Sequence, residues 1–152
     1  MKSEPDAFSI DDLMAMKKGV TYWDGVRNYQ ARNIMRDQMK IGDGAFFYHS
    51  NTKPLAIVGT MNIVSESYPD PTQFDPDSKY FDPASTHDSP RWMLVDVQFT
   101  MRFDPPVTRE RIRETPGLED MMLLKKGSRL SIQPVTPREW QIIHQLAGVD
   151  PL

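Results

Sequence analysis

The sequence contains no cysteine, which excludes disulfides, thiolate metal sites and a cysteine nucleophile. It holds only 8 glycines, and none of them builds a phosphate-cradling loop or a G-x-S-x-G elbow. No apolar run approaches the length needed to cross a bilayer, and Met1 to Asp6 is not followed by the apolar stretch of a signal peptide. A cytoplasmic protein without a membrane partner is the expectation. The three histidines, His49, His87 and His144, share no metal-ligand spacing, and His144, close to Trp140 in sequence, reads as a core-edge or surface residue. Asp75-Pro76-Asp77 has the outline of a calcium loop but lacks its glycine, and Thr86 stands where the bidentate glutamate belongs. No metal, cofactor or catalytic group is therefore expected. A surplus of basic charge is also missing: 18 Lys and Arg against 21 Asp and Glu give a net charge of −3. Sequence-blind coating of nucleic acid, which needs many phosphate contacts, does not fit that balance, whereas recognition of one nucleotide in a pocket does.

What is present reads as one α+β domain over residues 1–152, long enough to bury its own core. Capping signals mark three helices. Ser9 with Asp12 precedes Ile10, Leu13 and Met14 on one face, and Gly19 closes the segment. Asn28 caps a second helix over 29–40 with Ala31, Ile34, Met35 and Met39 as its apolar stripe. Thr136-Pro137-Arg138-Glu139 opens a third, which carries Trp140, Ile143 and Ala147 and stops at Gly148. Shorter helical pieces are expected at 108–114 and 118–123. Alternating patterns predict strands at 45–50, 55–63, 93–103 and 129–135, with a short one at 2–4. Residues 68–90 carry five prolines and five aspartates and read as a long loop, pinned by Tyr68, Phe74, Tyr80 and Phe81. Asp104-Pro105-Pro106 reads as a second break. Segregated helices and strands point to a small mixed sheet or barrel.

Two segments place polar residues among aromatics: Tyr22 to Asn33, and Phe46 to Asn51. A nucleobase is a flat π surface with hydrogen-bonding edges, so its site needs an aromatic plate and polar groups at the rim. Trp23 or Tyr48 offers the plate; Asn28, His49, Ser50 and Asn51 offer the edge; Arg27 and Arg32 offer phosphate contacts. The same residues also read as core aromatics, a turn at Ser50-Asn51 and a helix entry at Arg27-Asn28. An enzyme using His49 as acid or base is the competing functional reading, and it requires a carboxylate beside that imidazole.

Five blocks bear on this choice: Lys2-Ser3-Glu4-Pro5, Trp23 to Asn33, Phe47 to Asn51, Pro90-Arg91-Trp92 with Val95-Asp96-Val97, and Gly127 to Val135. In order and content they resemble the EVE domain family. The resemblance implies a PUA-like fold, a small, strongly curved β-barrel flanked by helices. It implies binding of a modified nucleobase, a modified cytosine in DNA or a modified base in RNA, flipped or single-stranded, without catalysis. Carried over by block, Trp23, Arg27, Asn28, Tyr48, His49, Ser50 and Asn51 would line the pocket, with Ser3, Glu4, Ser131 and Gln133 at its floor or rim. Arg32 would contact phosphate. Family members carry an aromatic-leucine pair ahead of the Lys-Ser-Glu-Pro block, so a shortened first strand is expected here.

Overall fold

A computed structural model describes residues 1–127 and 129–151. Its centre is a curled five-stranded sheet in the order β1-β3-β4-β7-β2, built from β1 (Lys2–Ser3), β2 (Val20–Tyr22), β3 (Gly44–His49), β4 (Ala56–Ile63) and β7 (Asp96–Thr108). β1 runs parallel to β3, and the remaining pairs are antiparallel. Two short strands, β5 (Tyr68–Pro69) and β6 (Met93–Leu94), form a separate ribbon. The expected mixed fold with a strongly curved sheet and flanking helices is what the chain adopts, the sheet being curled into a half-barrel.

The helices follow their caps. Ser9 and Asp12 bond each other's backbone N–H at the start of α1 (Ile10–Ala15). The Asn28 side chain accepts from Ala31 N and starts α2 (Tyr29–Asp37). Thr136 and Glu139 form the second reciprocal cap, at α4 (Pro137–Ala147), which ends at a left-handed Gly148. The short α3 (Arg109–Arg113) begins at Thr108. Within α1, which makes fewer than two turns, Ile10 and Leu13 are buried but Met14 is exposed. The piece expected at 118–123 is a single 3₁₀ turn, Met122–Leu124.

Three sequence expectations need correction. Residues 129–135 do not form a strand. Leu130 and Ile132 are buried as the alternation predicts, yet the segment gives β1 one backbone bond, Lys2 N to Ser131 O at 2.9 Å, and Pro134 withholds a donor. Asp104-Pro105-Pro106 does not break the chain either. β7 runs through it because the register jumps from Gly59↔Arg102 to Ile57↔Val107, so both prolines lie in a bulge where no ladder donor is required. Thirdly, His144, expected at the core edge or surface, is completely buried among Phe46, Phe103 and Trp140 and holds Trp140 O through Nδ1 at 2.7 Å.

The sheet separates two apolar clusters. One gathers α1, α2 and the inner strands around Phe47; the other lies under α3 and α4 around Phe103 and Ile143. Phe47 is fully buried and meets the rings of Phe8, Trp23 and His49. It therefore couples β1's turn, the segment after β2, and β3. Phe47→Ala should destabilise the fold by roughly 3–5 kcal/mol, measured by urea denaturation, whereas Ile41→Ala at an exposed position should change stability by less than about 0.5 kcal/mol.

Candidate functional site

The segment leaving β2 is where the chain builds a cavity. Trp23 N bonds Val95 O at 2.9 Å, which holds the segment to the strand region behind it. The Trp23 indole turns inward onto the edge of Phe47, at 5.3 Å between centroids, leaving 7% of the residue exposed. Gly25 follows with φ of +80°. A side chain there would collide with the Tyr80 ring, 2.5 Å from the position of its Cβ, so the glycine lets the loop tip close over the backbone.

That loop tip is held by a buried latch. The Asp70 carboxylate is fully buried; Oδ2 accepts from Gly25 N at 2.9 Å and from Arg27 Nη1 at 3.0 Å, while Oδ1 accepts from the backbone N–H and hydroxyl of Thr72. Arg27 donates further to Val26 O, to Thr72 Oγ1 and, twice, to Tyr80 O. All five guanidinium N–H groups are thereby engaged within the protein. Arg27 lines the cavity as expected, but it has no donor left for a phosphate and serves to fix Tyr80. Its guanidinium lies 5.5 Å from the ring centres of both Tyr80 and Trp92, and Trp92 stacks on Tyr29 at 4.8 Å. Buried Gln73 completes the scaffold by donating to Asp70 O and Trp92 O and accepting from Trp92 N and the Ser85 hydroxyl.

The resulting cavity measures about 750 Å³. Phe8, Tyr22, Trp23 and Tyr80 supply aromatic surface to it, and Lys2, Lys79 and Arg129 stand against Glu4 and Asp24. Asp24 is half-buried; desolvation, and then the neighbouring charge of Asp70, raise its pKa. Among the residues expected at the pocket, Trp23, Arg27, Ser3, Glu4, Ser50 and Ser131 are brought together here. The Ser3 hydroxyl donates to Phe8 O at 2.6 Å.

The other expected residues lie elsewhere, each for a local reason. Tyr48 faces the opposite side of the sheet and packs in the second cluster with 5% exposure; burial raises its hydroxyl pKa. It alternates with Phe47, so only one of the two rings can face the cavity side. His49 Nε2 accepts from Ile10 N at 3.1 Å, and burial lowers its pKa. The imidazole is an additional cap on α1 and lies outside the cavity lining. Asn28 is occupied as the cap of α2. Asn51, at the end of β3 with φ of +50°, reaches from outside to Glu4 Oε1 at 3.3 Å. Gln133 lines a small neighbouring crevice with Tyr48 and donates to Leu130 O. Arg32 sits on α2 over Tyr29, bonded to Asn33 and Arg91 O.

Sequence reasoning missed Asp24 and Lys79 and gave Tyr80 only the task of pinning the loop. The signal for Asp24 was available: a carboxylate between an indole and a glycine, Trp23-Asp24-Gly25, in a segment already singled out. Tyr80 had none, because 55 residues separate it from Gly25 and only the Asp70 latch brings them together. Removing the Asp70 carboxylate leaves the Arg27 charge without its counter-ion and Gly25 N without its acceptor. Asp70→Ala should cost about 3 kcal/mol and expose the loop to proteolysis between Gln73 and Trp92. Asp24→Asn should have the opposite sign. A carboxyl whose folded pKa is raised binds more protons than in the unfolded chain, so stability falls as pH rises past the unfolded pKa, and the full cost is reached above the folded one. The variant should melt higher at pH 7, by less than about 1 kcal/mol at this half-exposed position, and match the parent near pH 3; thermal unfolding at both pH values checks this.

Comparison with known proteins identifies the family and the fold. Residues 1–146 match the EVE domain. Human thymocyte nuclear protein 1 is 46% identical, over 99% of this chain and 74% of its own length. A crystal structure of a protein from Pseudomonas putida superposes with a TM-score of 0.92 at 45% identity, covering 97% of both chains. The crystal structure of human THYN1 protein in complex with 5-methylcytosine-containing DNA superposes with a TM-score of 0.91 at 43% identity, covering 99% of this chain and 97% of that one. With a curled sheet, a cavity behind the Trp23 segment and these likenesses along nearly its whole length, the chain belongs to the EVE domain family.

Proposed function

We propose that the chain binds a modified cytosine in DNA, 5-methylcytosine or an oxidised form of it, with the base seated in the cavity between Trp23 and the Tyr80 loop tip, and that it does so without catalysis. The observation that carries the reading is the pairing of aromatic surface with one half-buried carboxylate. Trp23 and Tyr80 offer rings to a planar base, and Asp24 stands in the same cavity. Cytosine presents an exocyclic amine as a donor, which a carboxylate accepts. Ser50 and Ser131 line the same cavity, and a hydroxyl can donate to the remaining acceptors of the base. A cavity of about 750 Å³ has room for a flipped nucleotide rather than a base alone. The likeness to human THYN1 protein, solved with 5-methylcytosine-containing DNA, supports the same ligand class.

Binding is favoured over acid–base catalysis by a specific feature. His49, the residue best suited to proton transfer, spends its Nε2 lone pair on Ile10 N and lies outside the cavity lining. Among the described residues the hydrogen-bond partner of that imidazole is a backbone N–H, and not the carboxylate a catalytic imidazole requires.

A fluorescence titration of single-stranded 12-mers with and without one 5-methylcytosine tests the reading. The modified strand should bind more tightly. Tyr80→Ala should weaken it by roughly 10-fold, in line with about 1–3 kcal/mol per stacked base, and remove the preference. Equal affinity of the unaltered protein for both strands would sink the proposal, and a preference confined to the RNA version of the strand would redirect it. Acidification should weaken binding, beginning above the ordinary carboxylate range, because protonating Asp24 removes the acceptor. Asp24→Ala should flatten that profile.

A further inference from the structure

A second concavity of about 710 Å³ lies between the β3–β4 connection and α3, lined by Asn51, Thr52, Lys53, Pro54, Leu55, Thr108, Arg109, Glu110 and Arg113. We propose that this groove is a phosphate-binding subsite, which holds the sugar–phosphate backbone of the DNA strand whose base enters the neighbouring cavity. The inference rests on the reading of that cavity as a base site and adds where the strand runs.

Charge is the first argument. The groove lining holds three cations and one carboxylate, within a chain whose net charge is −3. Among the described residues Arg27, Arg36 and Arg102 form ion pairs, and none of the three groove cations does. Lys53 and Arg113 are exposed, and the Arg109 guanidinium donates one long bond, 3.5 Å, to Leu124 O. A groove with three cations so weakly engaged by protein partners is matched by a polyanion.

Continuity is the second argument. Ser50 lines the base cavity and Asn51 lines the groove, so consecutive residues form a shared rim. Asn51 Nδ2 crosses that rim to Glu4, itself a cavity residue. The field is shared as well: after burial, the positive charge of Arg109 is what holds the pKa of cavity-lining Lys2 below its ordinary value. A strand leaving the cavity over Ser50 and Asn51 meets Lys53, Arg109 and Arg113 next. The site is thus divided between base recognition in one cavity and charge neutralisation in the other.

The test uses the full chain and the exposed pair Lys53→Gln/Arg113→Gln, which disturbs no buried contact. Affinity for the methylated and the plain 12-mer should fall together by roughly 10-fold at low salt, and the dependence on salt should weaken by about 1.4 in log–log slope for two lost phosphate contacts on a single strand. Binding of 5-methyl-2′-deoxycytidine, a nucleoside without phosphate, followed by NMR shifts, should stay unchanged. Lys53→Arg/Arg113→Lys should retain DNA affinity. Unchanged DNA affinity and salt slope in the glutamine pair would overturn the proposal, as would an equal loss for the nucleoside. If the unaltered protein shows no methyl preference but the glutamine pair still loses affinity and salt slope, the base reading fails and the groove stands as a backbone site.

Discussion

One buried carboxylate joins the parts of this molecule that wall the candidate cavity. Asp70 ties the long proline-rich loop to Gly25 and Arg27, and Arg27 in turn grips the Tyr80 carbonyl with two N–H groups. Without this latch the loop tip would lose the bonds that fix it over the segment that follows β2. Burying a charged pair of this kind is weak as a source of stability, since desolvation offsets much of the attraction. Its value lies in position: Arg27 can satisfy its full fork only when Asp70, Thr72 and Tyr80 are all in place. The latch also explains how a loop with so many prolines stays ordered. Proline cannot donate to a ladder, and the loop instead uses Asp70 and Gln73 side chains as substitutes for missing backbone partners.

Local chemistry made much of the fold legible in the sequence. Ser9, Asn28, Thr136 and Gly148 each sit at the cap their residue type favours, because a cap depends on neighbours three or four residues away. The strands with strong alternation, β3, β4 and most of β7, were equally visible. What failed depended on distant partners. Val20–Tyr22 is too short to announce itself and becomes a strand only by pairing with β7. Residues 129–135 have the alternation of a strand but acquire no ladder. The two prolines of β7 are tolerated because β7 itself bulges there against β4, which no reading of 104–106 alone could reveal.

The candidate site divides along the same line. Trp23 and Ser50 were found because their segments are rich in aromatic and polar residues, and Ser3, Glu4 and Ser131 through the family resemblance. Tyr48 and His49 shared that signal, yet the alternation of β3 sends Tyr48 to the other face, and His49 caps a helix. Composition marks which segments approach the cavity; the pleat of a strand and the demands of helix ends decide which side chains enter it. Arg27 shows the limit of reading residue types in isolation: a guanidinium beside a candidate nucleotide site suggests a phosphate contact, but its donors are consumed within the protein. The weakly engaged cations lie instead at Lys53, Arg109 and Arg113, which sequence inspection passed over because they come from two separate segments.

The central claim is that a base occupies the cavity closed by the Asp70 latch. A crystal structure of this protein with a short strand carrying one 5-methylcytosine tests it most directly. The account predicts ring density in contact with Trp23 and Tyr80, with Asp24 within hydrogen-bond distance of the exocyclic amine. A complex in which the strand binds elsewhere and leaves that cavity filled by water would contradict it.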